Sequence, residues 1–348
     1  MPARSEFVGL DPDRWRRVRS LAEDLVGGRD LKAVVVAARH ASAAASLPTP
    51  AISVGATAGD RFPVASLTKP VVAAVALRLC EDGRLSLADR VVDWLPAFAG
   101  GQRRPITVRH LLAHCSGLPD VWPENTQLRR ALAGRGAFVE ASCRCELAAK
   151  PGTTSIYSSV GFSLLGAVLE AAGGEDLPSL VRREVSEPLA MAGTSLGGGG
   201  EVVPVAYPPE HEASDSDWNS AYWRSLGAPW GGLLATAGDM LKFLGAFASG
   251  TLVSPASREA AWADQRGVFA DLGGRPWGLG WRFAWPGHAA SFGDLLPADA
   301  VGHYGATGTL MWHSRGRLAV ILTTTPALTR PRPLQLLSNA VAAAFADG

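Results

Sequence analysis

The chain has 348 residues, with 33 Lys+Arg against 32 Asp+Glu, and so a formal charge of +1 at pH 7. That balance offers no basic field to a nucleic-acid backbone and no acidic tail to a cationic partner. At 47% hydrophobic and 19% charged, the chain is too apolar for a disordered protein. Its apolar runs, such as 71–77 and 341–346, fall well short of the ~20 residues a bilayer requires. The expectation is a folded chain of about two domains, with no nucleic-acid and no membrane partner.

Asp11-Pro12 reads as a helix cap followed by proline at the first helical position, which predicts a helix over about 12–26. LKAVVVAARHA (31–41) and PAISVGATAGD (50–60) are β-branched runs joined by small residues, most simply a hairpin. From Ser66 to about Cys80 the pattern turns helical, and Glu81-Asp82-Gly83 stops it. The stretch 85–225 reads as helical pieces at 107–114, 126–149, 158–173 and 176–188, followed by an irregular polar run over 204–228. A helix over 237–248 follows. Strands return at 277–285, 308–316 and 317–325, and an Ala-rich helix closes at about 334–346. Strands at both ends with helices between predict an α/β (α+β) fold: an antiparallel sheet flanked by helices, plus an inserted helical domain. The sheet domain is expected from 1–65 and 227–348, the helical one from 66–226, with a small-molecule site in the cleft between them.

Ser66-Leu67-Thr68-Lys69 places a serine and a lysine on one helix face, so the ammonium reaches the hydroxyl. The helix N-terminus adds positive potential where an oxyanion would form. A lysine of lowered pKa can act as the base that a serine nucleophile needs. Lysine is rare here, with only Lys32, Lys69, Lys150 and Lys242 among the 33 basic residues. Downstream, Tyr157-Ser158-Ser159 opens the helix GFSLLGAVLEAAGG, and His303-Tyr304-Gly305 leads into Ala306-Thr307-Gly308-Thr309.

In this order, with HLLAHCSGLPD (110–120), PGTTSIYSSVGFSLLGAVLE (151–170), GGLLATAGDMLKF (231–243) and WGLGW (277–281), these elements resemble the serine β-lactamase and penicillin-binding-protein superfamily. The branch is that of class C β-lactamases, D-Ala-D-Ala carboxypeptidases and related carboxylesterases. The resemblance runs from about 60 to 325. It implies Ser66 as the acylated nucleophile, Lys69 as its proton partner and Tyr157 as the relay base. The backbone N–H groups of Ser66 and Ala306 would form the oxyanion hole, and no cofactor or metal is needed. Ser159, His303, Tyr304 and Gly305 would contact substrate, and Trp122, Tyr222 and Trp223 are candidates for the acyl wall.

Two positions depart from the pattern. Ser159 stands where the second motif usually has Asn, and a hydroxyl offers fewer donors than a carboxamide. His303-Tyr304-Gly305 replaces Lys-Thr-Gly, and so exchanges a fixed cation for a group mostly neutral at pH 7. Both point away from β-lactams and towards an esterase of a small soluble metabolite. A biosynthetic amidase or acyltransferase is the next reading, then a β-lactamase or peptidase, then a non-catalytic acyl-ligand binder. The N-terminus lacks an apolar signal core, so a cytoplasmic location is expected. Three other patterns read as structural: Gly193-Thr194-Ser195-Leu196-Gly197 follows a helix rather than a strand, His110 and His114 have no carboxylate at the H-E-x-x-H position and fall inside the phrase 110–120, and Cys143-Arg-Cys145 matches no zinc spacing.

Overall fold

Along β1 (Val34–His40), alternate side chains enter two separate cores: Val35 and Ala37 join the larger, Val34, Val36 and Ala38 the smaller. A strand that is apolar on both faces belongs inside a sheet covered on both sides. In the computed structural model, which describes residues 9–43, 49–208, 214–269, 272–284, 292–326 and 331–346, β1 is flanked by β2 (Ala51–Val54) and β9 (Arg317–Thr323). The sheet order is β2-β1-β9-β8-β7-β6, with β6 at Arg282–Phe283, β7 at Val301–Gly305 and β8 at Thr309–Ser314, and every pair is antiparallel. Strands from the two ends of the chain thus meet at β1 and β9. The β8–β9 hairpin turns over Arg315-Gly316 with φ of 48° and 79°, the two-residue turn whose twist suits a sheet.

Helix α1 (Pro12–Gly27) opens as its sequence predicts. Asp11 accepts from the Arg14 N–H, proline follows, and Trp15, Val18, Ala22 and Leu25 form the buried stripe. With α12 (Arg332–Ala344) it covers one face of the sheet. The other face meets α10 (Ala237–Ser249), on which α11 (Pro255–Trp262) packs.

Between the sheet segments lie α2 (Thr68–Glu81), α3 (Val91–Trp94), α4 (Val108–Leu112), α5 (Asn125–Arg130), α6 (Arg135–Arg144), α7 (Ser159–Gly173), α8 (Leu177–Val181) and α9 (Ala221–Leu226). Helix α2 is buried on nearly every side, which explains its apolar composition. A second sheet, β3 (Phe62–Pro63), β5 (Leu233–Ala235) and β4 (Ser195–Leu196) in the order β3-β5-β4, holds the chain just before α2. Among the described residues no helix is long and apolar enough to cross a membrane.

Local differences from the sequence expectation have physical causes. The helix expected over 126–149 divides into α5 and α6, because Leu132 takes φ 49° between them and Gly134 leads the second. The helix expected over 176–188 is α8 running into a π-helical turn at Arg182–Ser186. The strand expected over 277–285 shrinks to β6, since Gly280 takes φ 78° and the Gly278 N–H turns back to the Trp281 carbonyl. Strand β7 escapes a composition-based reading because glycine occupies two of its five positions. Gly302 is required: a Cβ there would lie 2.1 Å from the Met311 carbonyl oxygen of β8. Parts of the 42–49 connection, residues 209–213 of the polar run and residue 285 lie outside the described residues.

Candidate active site

Ser66 sits in a 3-10 turn, Ala65–Leu67, that runs directly into α2. Ala65 before it takes φ 48°, a left-handed conformation costing an L-residue roughly 1 kcal/mol or more. The turn is held from three sides. The Thr68 hydroxyl donates to the Ala65 carbonyl (2.6 Å), the Leu233 N–H to the Thr68 hydroxyl (3.0 Å), and the Thr309 hydroxyl to the Val64 carbonyl (2.8 Å). One turn into the helix, the Lys69 Nζ donates to Ser66 Oγ at 3.3 Å and to the Trp230 carbonyl at 2.6 Å. Lys69 has no exposed surface. Burial brings its ammonium down to about 7, with Asp120 opposing and Arg282 adding to the fall.

Tyr157 arrives from a loop anchored to His114. The Ile156 N–H donates to the His114 carbonyl (2.8 Å) and the Ser158 N–H to His114 Nδ1 (3.0 Å), so one residue grips both neighbours of the tyrosine. The imidazole also packs on the Tyr157 ring with centroids 4.7 Å apart. Ser158 then caps α7 by accepting from the Gly161 N–H. Held in this way, Tyr157 Oη donates to Ser66 Oγ at 2.7 Å, and its ring lies 4.6 Å from Lys69 Nζ. Burial pushes its phenol up to about 12, outweighing the lowering by Arg282 and by the bond to Ser66. A neighbouring ammonium by itself would lower a phenol's proton affinity, and that effect does not prevail here. Desolvation is the larger effect, and the lysine is the group poised near neutrality.

A cavity of about 400 Å³ opens over Ser66, lined among others by Tyr157, Ser159, Trp122, Trp223, Tyr304 and Ala306. Ala306 is carried there by β7, whose last residue, Gly305, approaches so closely that a Cβ would lie 2.5 Å from the Val64 carbonyl oxygen. Three candidates fall elsewhere. Tyr222 donates to the Ala133 carbonyl (2.9 Å) and lines a neighbouring cavity of about 620 Å³. His303 is fully buried and does not line the Ser66 cavity, and neither does Gly305. His303 Nδ1 donates to the Tyr304 carbonyl, and burial beside Arg282 and Lys69 keeps the ring neutral.

The remaining patterns resolve as packing. Ser195 lies in β4 and donates to the Gly197 carbonyl. His110 caps α4 with Thr107.

The Beta-lactamase family profile matches residues 27–344. The chain belongs to the Beta-lactamase family. Among relatives, this family member is 29% identical to esterase EstB of Burkholderia gladioli over 289 residues, covering 72% of this chain and 71% of the relative. It is 26% identical to a putative D-alanyl-D-alanine carboxypeptidase of Escherichia coli K12, covering 74% and 67%. Its fold is that of EstCE1, a hydrolase with promiscuous acyltransferase activity (TM-score 0.77, 21% identity, 94% and 98% covered). A penicillin-binding-protein homologue from Caulobacter crescentus shares it too (TM-score 0.77, 22% identity, 97% and 99% covered). The family and these esterase and carboxypeptidase relatives mark the protein as an enzyme of the serine-hydrolase kind.

Three charged residues of the cavity escape the motif reading. The Arg282 guanidinium lies over the rings of Tyr304 (4.3 Å), Trp277 (4.4 Å) and Tyr157 (4.6 Å). It restores a fixed cation to a Beta-lactamase-family site whose third motif has none. The signal was a lone arginine in the apolar run 277–285, directly after WGLGW. Asp120, the last residue of HLLAHCSGLPD, accepts from the Ser159 hydroxyl (3.1 Å) and its N–H (3.3 Å), occupying the donor that stands in for the usual Asn. Arg129 comes from α5, and no spacing pointed to it.

Proposed function

We propose that the protein is a serine hydrolase that forms an acyl-enzyme on Ser66, with a small ester of a soluble metabolite as substrate. The supporting observation is that Ser66 Oγ lies within hydrogen-bond reach of both Lys69 and Tyr157, groups whose proton affinities are pushed far apart. Paired groups of this kind divide acid from base. Neutral Lys69 takes the Ser66 proton as Oγ attacks the carbonyl. The backbone N–H groups of Ser66 and Ala306 receive the oxyanion. Tyr157, still protonated, gives its proton to the leaving oxygen. Water then attacks the acyl-enzyme, returning a proton to Tyr157, and the serine oxygen departs with the proton stored on Lys69. Tyr157 is thus acid in acylation and base in deacylation.

The test is incubation with a fluorophosphonate, followed by mass spectrometry and turnover of 4-nitrophenyl esters. The expected result is one adduct on Ser66, with hydrolysis abolished in Ser66→Ala. Folded wild-type protein that takes no adduct would instead be a non-catalytic acyl-ligand binder. Arg282 favours a second reading, a leaving group that carries a carboxylate, as in a β-lactam or a carboxypeptidase substrate. It narrows the ester preference argued from His303-Tyr304. Nitrocefin turnover above that of 4-nitrophenyl acetate, lost in Arg282→Gln, would establish that reading.

A further inference from the structure

One arm of the cavity is walled by tryptophan. Trp122, Trp223 and Trp230 are 2%, 6% and 8% exposed, and Trp218 joins them along the same cavity. The rings of Trp122 and Trp230 are 4.8 Å apart, and Trp223 meets Trp230 edge to face at 6.4 Å. The Trp122 indole is locked, because Nε1 donates to the Phe138 carbonyl and to the Ser142 hydroxyl. A rigid wall of this kind takes planar groups, which stack or meet rings edge-on.

Arg129 lines the same arm. Its guanidinium lies 4.3 Å from the Trp223 ring, and Nε and Nη2 both donate to the Ser216 carbonyl. Among the described residues no carboxylate hydrogen-bonds to it, and Asp217 acts on it only through its charge, so its direct partners are a neutral oxygen and a π face. A partly buried guanidinium with no carboxylate hydrogen-bonded to it among the described residues, at the edge of a cavity, is a place for a bound anion.

We infer that this arm is an acyl subsite for an aryl group bearing a carboxylate, the ring against Trp223 and Trp230 and the anion on Arg129. The assignment rests on the hydrolase reading above: Tyr157, beside Arg282, serves the leaving group, and the tryptophan wall takes the acyl group.

The experiment holds the leaving group constant. The 4-nitrophenyl esters of hexanoate, phenylacetate, para-carboxyphenylacetate and the methyl ester of the last are compared by kcat/KM. Phenylacetate should exceed hexanoate, and the carboxylate should exceed its methyl ester by about tenfold or more, a ratio that falls towards unity in Arg129→Met. A wild-type ratio near unity, or one unchanged in Arg129→Met, overturns the inference. A second measurement needs no turnover: tryptophan fluorescence of Ser66→Ala titrated with para-carboxyphenylacetic acid and with phenylacetic acid. Tighter binding of the diacid, lost when Arg129→Met is added, upholds the subsite even if Ser66 takes no fluorophosphonate and the hydrolase reading falls. Equal binding of the two acids sinks the subsite alone.

Discussion

Lys69 is a lysine without solvent, held by a carbonyl and a hydroxyl, and its pH behaviour follows from that surrounding. With its proton affinity lowered to about 7, it is charged and unable to accept in acid, and free to accept above neutrality. The kcat/KM of an ester should therefore rise with pH through about 7 and stay level well into the alkaline range, because Tyr157 keeps its proton to about 12. A single rise centred in the strongly alkaline range would make the phenolate the base. Tyr157→Phe should cost roughly 10²–10⁴ in kcat for an alkyl ester, the range of a lost general acid or base. In the acylation of a 4-nitrophenyl ester, whose leaving group needs no proton, it should cost much less; equal losses would remove the acid role. His114 acts one step back, since its carbonyl and Nδ1 hold the residues on either side of Tyr157. His114→Phe keeps a ring but loses the acceptor and should lower kcat about tenfold or more. In a double-mutant cycle that loss should vanish in a Tyr157→Phe background, as expected of residues acting as a unit. Ser66, Lys69 and Tyr157 were legible because two rare residue types, lysine and tyrosine, stood in an ordered pattern with a serine. Arg282 and Arg129 were not, because a charge that reaches a cavity from a distant loop leaves no spacing to read.

Among elements, those with end signals were the ones sequence could place. Asp11-Pro12 opens α1, Ser158 caps α7, and Gly174 at φ 73° closes it. The strands of two or three residues and the glycine-bearing β7 lack the period-two apolar pattern by which strands are recognised. Yet β7 positions the site. Its final residue, Gly305, touches Val64 and Thr309, so the strand end and the Ser66 turn form one tightly packed unit. Gly305→Ala would drive a Cβ to within 2.3 Å of the Thr309 hydroxyl and 2.5 Å of the Val64 carbonyl oxygen. The hydroxyl can rotate away but the carbonyl cannot, so a loss of about 1–3 kcal/mol in stability is expected. Thermal melts should show it, alongside a fall in kcat larger than any change in KM. A wild-type melting temperature would mean that β7 has room to shift.

For the whole molecule, the same buried lysine is a burden on stability. An unfolded chain holds the Lys69 proton with ordinary affinity, near 10.5, whereas the folded one releases it at about 7. Between those values the unfolded state binds more proton, so stability rises with pH across that window and is level below it. Lys69→Met should melt at a higher temperature than wild type, with the gap widest at and below about pH 7 and closing towards the alkaline side. A lower melting temperature at every pH would show that the bonds to Trp230 and Ser66 outweigh the desolvation. Trp230 belongs to two structures at once. Its indole is part of the acyl wall and its carbonyl is the closest partner of Lys69. An acyl group that jostles the indole therefore disturbs the seat of the base. Discrimination between acyl donors then shows in the speed of the chemical step as well as in how tightly each is held. An ill-fitting ester becomes a tenant that occupies the enzyme without being turned over.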